Sequence, residues 1–277
     1  MKAVLEAALA AERNGEPAAL VTVVATEGST PQGAGAKMVV YVDGRIVGTI
    51  GGGCLEAEMT WRARRAIEER RPLMASYDLT PDQAGEDGLV CGGRMQVFIE
   101  PIESTPTLCL FGAGHVAQPL ARMAKMAGFR VEVADDRIKF ANRERFPEAD
   151  LILVDDFKTA AGKMALGGNS YAVVVTRGHK GDAEALEAVL GRGLRFVGLL
   201  GSRPKAVHIL SGLEEKGVAR EELARVHCPL GLEIGAETPE EIAVSVLAEM
   251  IAIRRGVDPV KARSMKLELP GRMKVRG

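Results

Sequence analysis

The chain has 277 residues, 47% hydrophobic and 26% charged, with a formal net charge of -1. That balance suits a globular protein of one large or two modest domains, each able to bury a core. It excludes a general nucleic-acid surface, which needs a basic excess, and no apolar run reaches the length of a membrane span. Aromatic residues make up only 4% of the chain, so an aliphatic core is expected. The first twelve residues lack the order of a signal peptide. Four cysteines, at positions 54, 91, 109 and 228, show no C-x-x-C spacing. Reduced thiols in a soluble cytoplasmic protein are therefore expected, with no disulfide framework or zinc knuckle.

In chain order, Leu5, Ala8, Leu9 and Ala10 mark the apolar face of an opening helix that stops at Asn14-Gly15. Residues 18–25 read as a buried strand rich in β-branched side chains. The segment Gly28-Ser29-Thr30-Pro31-Gln32-Gly33-Ala34-Gly35 breaks it into an irregular loop. Residues 37–42 and 45–50, joined by Asp43-Gly44, form a hairpin. Gly51-Gly52-Gly53-Cys54 then opens a charged amphipathic helix over 55–71. Strands follow near 74–79 and 94–100, the second introduced by Cys91-Gly92-Gly93. Most free cysteines are small buried hydrophobes. Triple glycine at a strand end serves no packing purpose, however, whereas backbone approach to a ligand explains it. Cys54 also falls at a helix N-terminus, where the dipole favours a thiolate.

Glu103-Ser104-Thr105-Pro106 reads as a link between domains. The expected division is 1–103, 107–256 and a solvated tail over 257–277. Beyond the link, strands at 107–111, 129–134, 151–154, 171–175 and 196–200 alternate with helical patterns at 116–127, 183–190 and 205–216. The fold class is α/β: an N-terminal α+β domain followed by a Rossmann-like, doubly wound parallel-sheet domain. Thr238-Pro239-Glu240-Glu241 is a capping box that opens an apolar helix over 242–253. That helix is expected to bury against the sheet or a second protomer, which makes a homodimer the expected assembly.

The second half carries its own site pattern. Gly112-Ala113-Gly114-His115-Val116-Ala117 has the G-x-G-x-x-A spacing of a dinucleotide-binding turn. Gly112 allows the sharp turn, Gly114 lets backbone approach a phosphate, and Ala117 lets the helix pack on its strand. Asp135 lies 23 residues after Gly112, where a carboxylate accepts from a ribose 2′-OH. Asp136, Arg177, His179, Ser202 and Arg203 also fall at strand ends, where such sheets bind ligands. Arg177 and His179 are placed to meet an anion or move a proton. His208 reads as surface or packing, and His227 beside Cys228 has no assigned role. From this half alone the chain could be an NAD(P)-dependent oxidoreductase, with His179 as acid or base and Asp135 as ribose anchor. A plain interaction scaffold is the third reading.

Several segments in one order resemble the XdhC/CoxI family of xanthine dehydrogenase accessory factors. They are Glu27-Gly28-Ser29-Thr30-Pro31, Gly35-Ala36-Lys37-Met38, Gly48 to Glu56, and Cys91-Gly92-Gly93 in the first half. In the second half they are Phe111 to Ala117, Asp135-Asp136-Arg137, Thr176 to His179, Gly198 to Arg203 and Gly231 to Glu241. Gln32 departs from the pattern, since such proteins commonly carry an arginine after the proline. The resemblance implies a cofactor-binding chaperone rather than a catalyst. It would bind the molybdenum cofactor (molybdopterin), hold it while its terminal sulfur is installed, and deliver it to an apo molybdenum hydroxylase. A cysteine desulfurase would be a further partner, and no nucleic acid or membrane is expected. On this reading Gly28, Ser29, Thr30, Gly51, Gly52 and Gly53 join the second-half residues in cofactor binding. Cys54 and Cys91 would approach the molybdenum, because a soft thiolate suits that metal or its sulfido group.

Overall fold

The computed structural model describes residues 1–79 and 92–261. The chain divides into two compact units, Met1–Thr105 and Pro106–Gly277. In the first unit, α1 (Lys2–Asn14) precedes strands β1 (Ala18–Glu27), β2 (Lys37–Tyr41) and β3 (Ile46–Gly48). Helix α2 (Gly53–Glu69) and strands β4 (Leu73–Asp78) and β5 (Arg94–Ile102) complete it. The strands form an antiparallel sheet in the order β3-β2-β1-β5-β4.

The period-2 alternation of β1 serves two helices at once. Ala19, Val21 and Val23 face Leu55, Met59, Ala63 and Ala66 of α2. Ala18 packs instead with Val4 and Ala11 of α1. The apolar face expected for α1 is thus displaced. Leu5 and Leu9 are 46% and 54% exposed, while Val4, Ala7, Ala8 and Ala11 meet the sheet. The i, i+3, i+4, i+7 row of small residues lets the helix lie close to the strands, a fit that two leucines would prevent.

The second unit has the expected doubly wound character. Strands β6 (Thr107–Phe111), β7 (Arg130–Ala134), β8 (Leu151–Leu153), β9 (Ser170–Val174), β10 (Phe196–Leu199) and β11 (Val226–His227) are all parallel. Their order is β11-β10-β9-β6-β7-β8. This is the dinucleotide-fold order, and its direction reverses between β6 and β9, where a crevice opens at the strand ends. Both faces of the sheet are covered, so most of its strands are apolar runs, while β7 carries a buried Glu132 that pairs with Arg130 at 3.0 Å. Helices α3 (Ala117–Met126), α4 (Phe157–Lys163), α5 (Gly178–Val189), α6 (Arg203–Glu215) and α8 (Pro239–Arg254) surround it, with a short α7 (Arg220–Leu223) before β11. Helices α4 and α7 and strand β11 are too short to show a period in the sequence. The connection from β7 to β8 is a run of turns with no α-helix among its described residues. A 3-10 turn at Pro259–Lys261 ends the described chain, and the rest of the expected tail lies outside the described residues.

Helix α8 opens with the capping box read from the sequence, Thr238 and Glu241 each bonding the other's backbone N–H. It packs on α3 and contributes Val246 and Met250 to the core. Its buried Glu249 accepts from the Gly231 N–H at 2.7 Å and lies 2.8 Å from Nδ1 of His227. His227, unassigned in the sequence, thus ties β11 to α8. Removing the acceptor leaves two polar groups unmatched, so Glu249→Ala is expected to cost roughly 2–3 kcal/mol in urea unfolding. A change below about 0.5 kcal/mol would show that the network is idle.

Candidate functional site

In the first unit, three glycine-bearing loops meet at one end of the sheet. Gly28 has φ +69, and a Cβ on Gly93 would lie 2.3 Å from the carbonyl oxygen of Ser29. A Cβ on Gly51, at φ +138, would strike the Pro31 ring at 2.4 Å. The 28–31, 49–54 and 92–93 segments therefore close on one another, and only glycine fits these contacts. Gly52 differs, with φ +78 and no atom within 4 Å of where its Cβ would be, so its backbone borders open space.

Glu56 holds this loop in shape. Its carboxylate accepts from the N–H groups of Ile50 at 3.0 Å and Gly52 at 2.9 Å, and from the Thr49 hydroxyl. Burial pushes the Glu56 carboxyl up, but these three donors more than offset it, so it lies below the usual carboxylate range. In the sequence Glu56 belongs to a family-like segment without a role of its own. The available signal is an acid in the first turn after a glycine loop, where it can reach back to the loop's N–H groups.

Cys54 is the second residue of α2 and exposed, on a helix whose Gly52 N-cap supplies no side chain. Beside it is Tyr77 of β4, whose phenol is raised by burial and then by the neighbouring Cys54 and Glu58. Ser29 and Thr30 lie on the surface of the 28–31 loop, and the Thr30 hydroxyl donates to the Gln32 carbonyl at 3.0 Å. Cys91 lies outside the described residues. Among the described residues, no group of three or more His, Cys, Asp or Glu side chains is placed to hold a metal ion.

In the second unit, the ends of β6, β7 and β9 form a continuous rim. Gly112 has φ +108, and its Cβ would lie 2.5 Å from the Val175 carbonyl oxygen, so the turns after β6 and β9 pack directly together. Ala117 is fully buried at the start of α3, as the motif requires, and the space beside Gly114 is open. Asp136 bridges Arg137 at 3.6 Å and Arg177 at 3.5 Å, across the end of β6. His115 and His179 are exposed on this rim, and the His179 ring meets that of His208 edge-on at 5.7 Å. Ser202 and Arg203 stand one strand further along, at the start of α6.

The helices around this rim differ in their caps. Asp156 and Thr238 cap α4 and α8 through their side chains. Helices α3, α5 and α6 have no side-chain cap and no acid in the first turn. Their free N–H groups and dipole ends suit an anion.

Asp135 does something other than the expected ribose contact. It is 1% exposed, and its carboxylate accepts from the Ala113 N–H at 2.8 Å. The backbone N–H and guanidinium of Arg137 supply the remaining bonds at 2.7–3.1 Å. The acid therefore fixes the glycine turn, and its acceptor sites are taken by its own chain. Burial pushes the Asp135 carboxyl up, but Arg137 and the Ala113 N–H outweigh it and hold the carboxyl below its ordinary range. A lowered native value gives stability that is complete above the unfolded value and lost as pH falls through the native one. Asp135→Asn should thus lower the urea midpoint at neutral pH and flatten its decline between about pH 6 and pH 2. Equal declines in both proteins would contradict this.

A further cluster is invisible in the sequence. Asp182 of α5 is fully buried, 2.5 Å from Nζ of Lys205 of α6, and accepts from the Thr176 hydroxyl at 2.7 Å. An aspartate in a helix ordinarily reads as solvated, so only packing reveals this one. Burial also pushes the Cys228 thiol up, with Lys205 and Asp182 close enough to act on it in opposite directions. Cys109, in the middle of β6, is pushed beyond the range of a reactive thiol, chiefly by burial.

The two units match two family models: the XdhC Rossmann domain over residues 108–250, and the XdhC and CoxI family over residues 11–78. The uncharacterized protein YqeB of Escherichia coli (strain K12) is 40% identical over 250 residues, covering 90% of this chain and 46% of that protein. The chain thus spans about half the length of that relative. A probable xanthine dehydrogenase subunit of Bacillus subtilis (strain 168) is 27% identical, with 87% of this chain and 94% of that one covered. The molybdenum cofactor insertion chaperone PaoD of Escherichia coli (strain K12) is 25% identical, with 91% and 88% covered. No helix among the described residues is long and apolar enough to cross a membrane.

Proposed function

The chain belongs to the XdhC and CoxI family, and from that premise we propose that it is an accessory factor in the maturation of a molybdenum hydroxylase of the xanthine dehydrogenase type. It binds the molybdenum cofactor and delivers it to the apo-enzyme. The observation that carries this reading is the closure of the 28–31, 49–54 and 92–93 loops on one another, with the exposed Cys54 directly following in the first turn of α2. Gly52 presents bare backbone, α2 presents uncapped N–H groups, and Cys54 presents a thiol in its first turn. A hard oxyanion and a soft metal or sulfide each find a suitable donor in that set.

In this role Gly52, Gly53 and Cys54 hold the cofactor, and Glu56 keeps the loop in register for it. The cofactor supplies the redox-active molybdenum of the client enzyme. The protein's own contribution is to bind, orient and shield it, so no turnover is expected of the chain alone. The names of two relatives support the reading: one is a molybdenum cofactor insertion chaperone, and the other belongs to a probable xanthine dehydrogenase.

The test is reconstitution. Apo-hydroxylase mixed with released cofactor should reach a higher active fraction when this protein is present, and higher still with a cysteine desulfurase and its substrate. Equal activation with and without the protein would reject the role.

A further inference from the structure

The connection between β7 and β8 carries two arginines whose placement the cofactor-delivery role leaves unexplained. Arg137 follows the end of β7, and its guanidinium carbon stands 3.8 Å from the centre of the Phe140 ring. Arg145 reaches the same ring at 5.2 Å. Both converge on Ala113, the middle residue of the glycine turn. Arg145 points a terminal nitrogen at the Ala113 carbonyl, at 3.5 Å, and Arg137 binds the carboxylate that holds the Ala113 N–H. The backbone of the connection is itself braced. Gln118 of α3 donates to the Arg145 carbonyl at 3.1 Å, and Asn142 accepts from the Arg145 N–H. Yet the Arg145 Nε is buried and has no hydrogen-bond partner among the described residues. A guanidinium with an unpaired donor, set against a glycine turn that is open beside Gly114, is the chemistry of an oxyanion site.

The carboxylates around it sharpen the ligand class. In a sheet of this strand order, a free acid at the end of β7 grips the two hydroxyls of an adenosine ribose. Here Asp135 is closed off by Arg137 and the turn, and Asp136 is shared between Arg137 and Arg177. Arg137 and Arg177 engage the two carboxylates, and Arg145 adds a third guanidinium at the glycine turn, which leaves the position cationic. A phosphate on the ribose satisfies that position better than a diol does.

We infer that Arg145, with Arg137, forms a subsite for a phosphomonoester on a nucleotide ribose, so that the second unit binds a 2′-phosphorylated dinucleotide of the NADP class in preference to NAD. The inference rests on the reading of the glycine turn as ligand-facing. It is independent of whether the first unit holds the molybdenum cofactor. Phe140 is the platform that spaces the two guanidiniums, and Gly114 leaves room for the ligand's pyrophosphate at the start of α3.

Calorimetric titration of the full chain with NADP+, NAD+ and 2′,5′-ADP tests this. NADP+ should bind at least about tenfold more tightly than NAD+, and 2′,5′-ADP should compete with it. Arg145→Ala should lose about tenfold more in NADP+ affinity than in NAD+ affinity, so that the preference between them collapses, and Arg145→Lys should recover part of it. Equal binding of the two dinucleotides, or binding of neither, would overturn the inference on the wild-type protein alone, whatever the variants do. Displacement of 2′,5′-ADP by released molybdenum cofactor would overturn it as well, by assigning the subsite to the pterin phosphate. Failure of the cofactor role is read separately, by pterin retention, and leaves the dinucleotide ratio untouched.

Discussion

Asp182→Ala is expected to destabilise the Pro106–Gly277 unit by about 3 kcal/mol, the largest single loss foreseen on its rim. The carboxylate is fully buried and is the ion-pair partner of Lys205, whose side chain is only 21% exposed. Truncation strands the ammonium in a site that water reaches poorly, and it also frees the Thr176 hydroxyl. For a unit of this size, the loss corresponds to a fall in melting temperature of roughly 6–12 °C. Asp182→Asn keeps the Thr176 bond and should cost less. Asp182→Ala combined with Lys205→Met removes both charges and should recover most of the stability, since an uncompensated charge is the main cost. If the double variant is as unstable as the single one, the ion pair is not what the aspartate supplies. Thr176, Asp182 and Lys205 join the end of β9 to α5 and α6, so they set where Arg177 and His179 stand. Their part in any ligand binding is to position that rim.

The second large effect is expected at Cys54. Its thiol is exposed and makes no packing contribution to the core, and alanine suits the first turn of a helix. Cys54→Ala should therefore fold and melt like the wild type, yet retain the molybdenum cofactor about tenfold more weakly or worse. Cys54→Ser keeps the size and loses the soft donor, so it should behave like the alanine variant if metal or sulfide contact matters. A serine variant that binds like the wild type would reduce the cysteine to a spacer. Glu56→Gln offers a contrast, since it loosens the Gly51–Gly52 backbone without touching the thiol.

Most of the sheet of the second unit is legible because β6, β8, β9 and β10 are short apolar runs that give way to glycine or polar residues, and because both faces are buried. Leu108 to Phe111 followed by Gly112 can hardly be read otherwise. The polarity of the glycine turn is legible too, since Ala117 must be small where α3 meets the strand. What escapes the sequence depends on partners distant along the chain. Asp135 occupies the expected place, but only the fold shows Arg137 and Ala113 consuming its acceptors. Glu249 and His227 are 22 residues apart and meet through β11 and α8. The face of α1 is misleading because leucines outweigh alanines in any hydrophobic count, whereas close packing on a sheet selects the small residues. In the first unit, the glycines at 28, 51 and 93 announce close backbone approach. Their common meeting point, and the carboxylate of Glu56 that organises it, require the structure.

The decisive question is whether the whole chain holds the molybdenum cofactor. The purified protein should be incubated with cofactor released from a molybdenum enzyme, passed through gel filtration, and assayed for metal and for the fluorescent oxidised pterin. Co-elution of molybdenum and pterin with the protein in near-equal amounts, reduced in Cys54→Ala, is the predicted result. Elution of both in the small-molecule fraction, with the protein folded and empty, would contradict it.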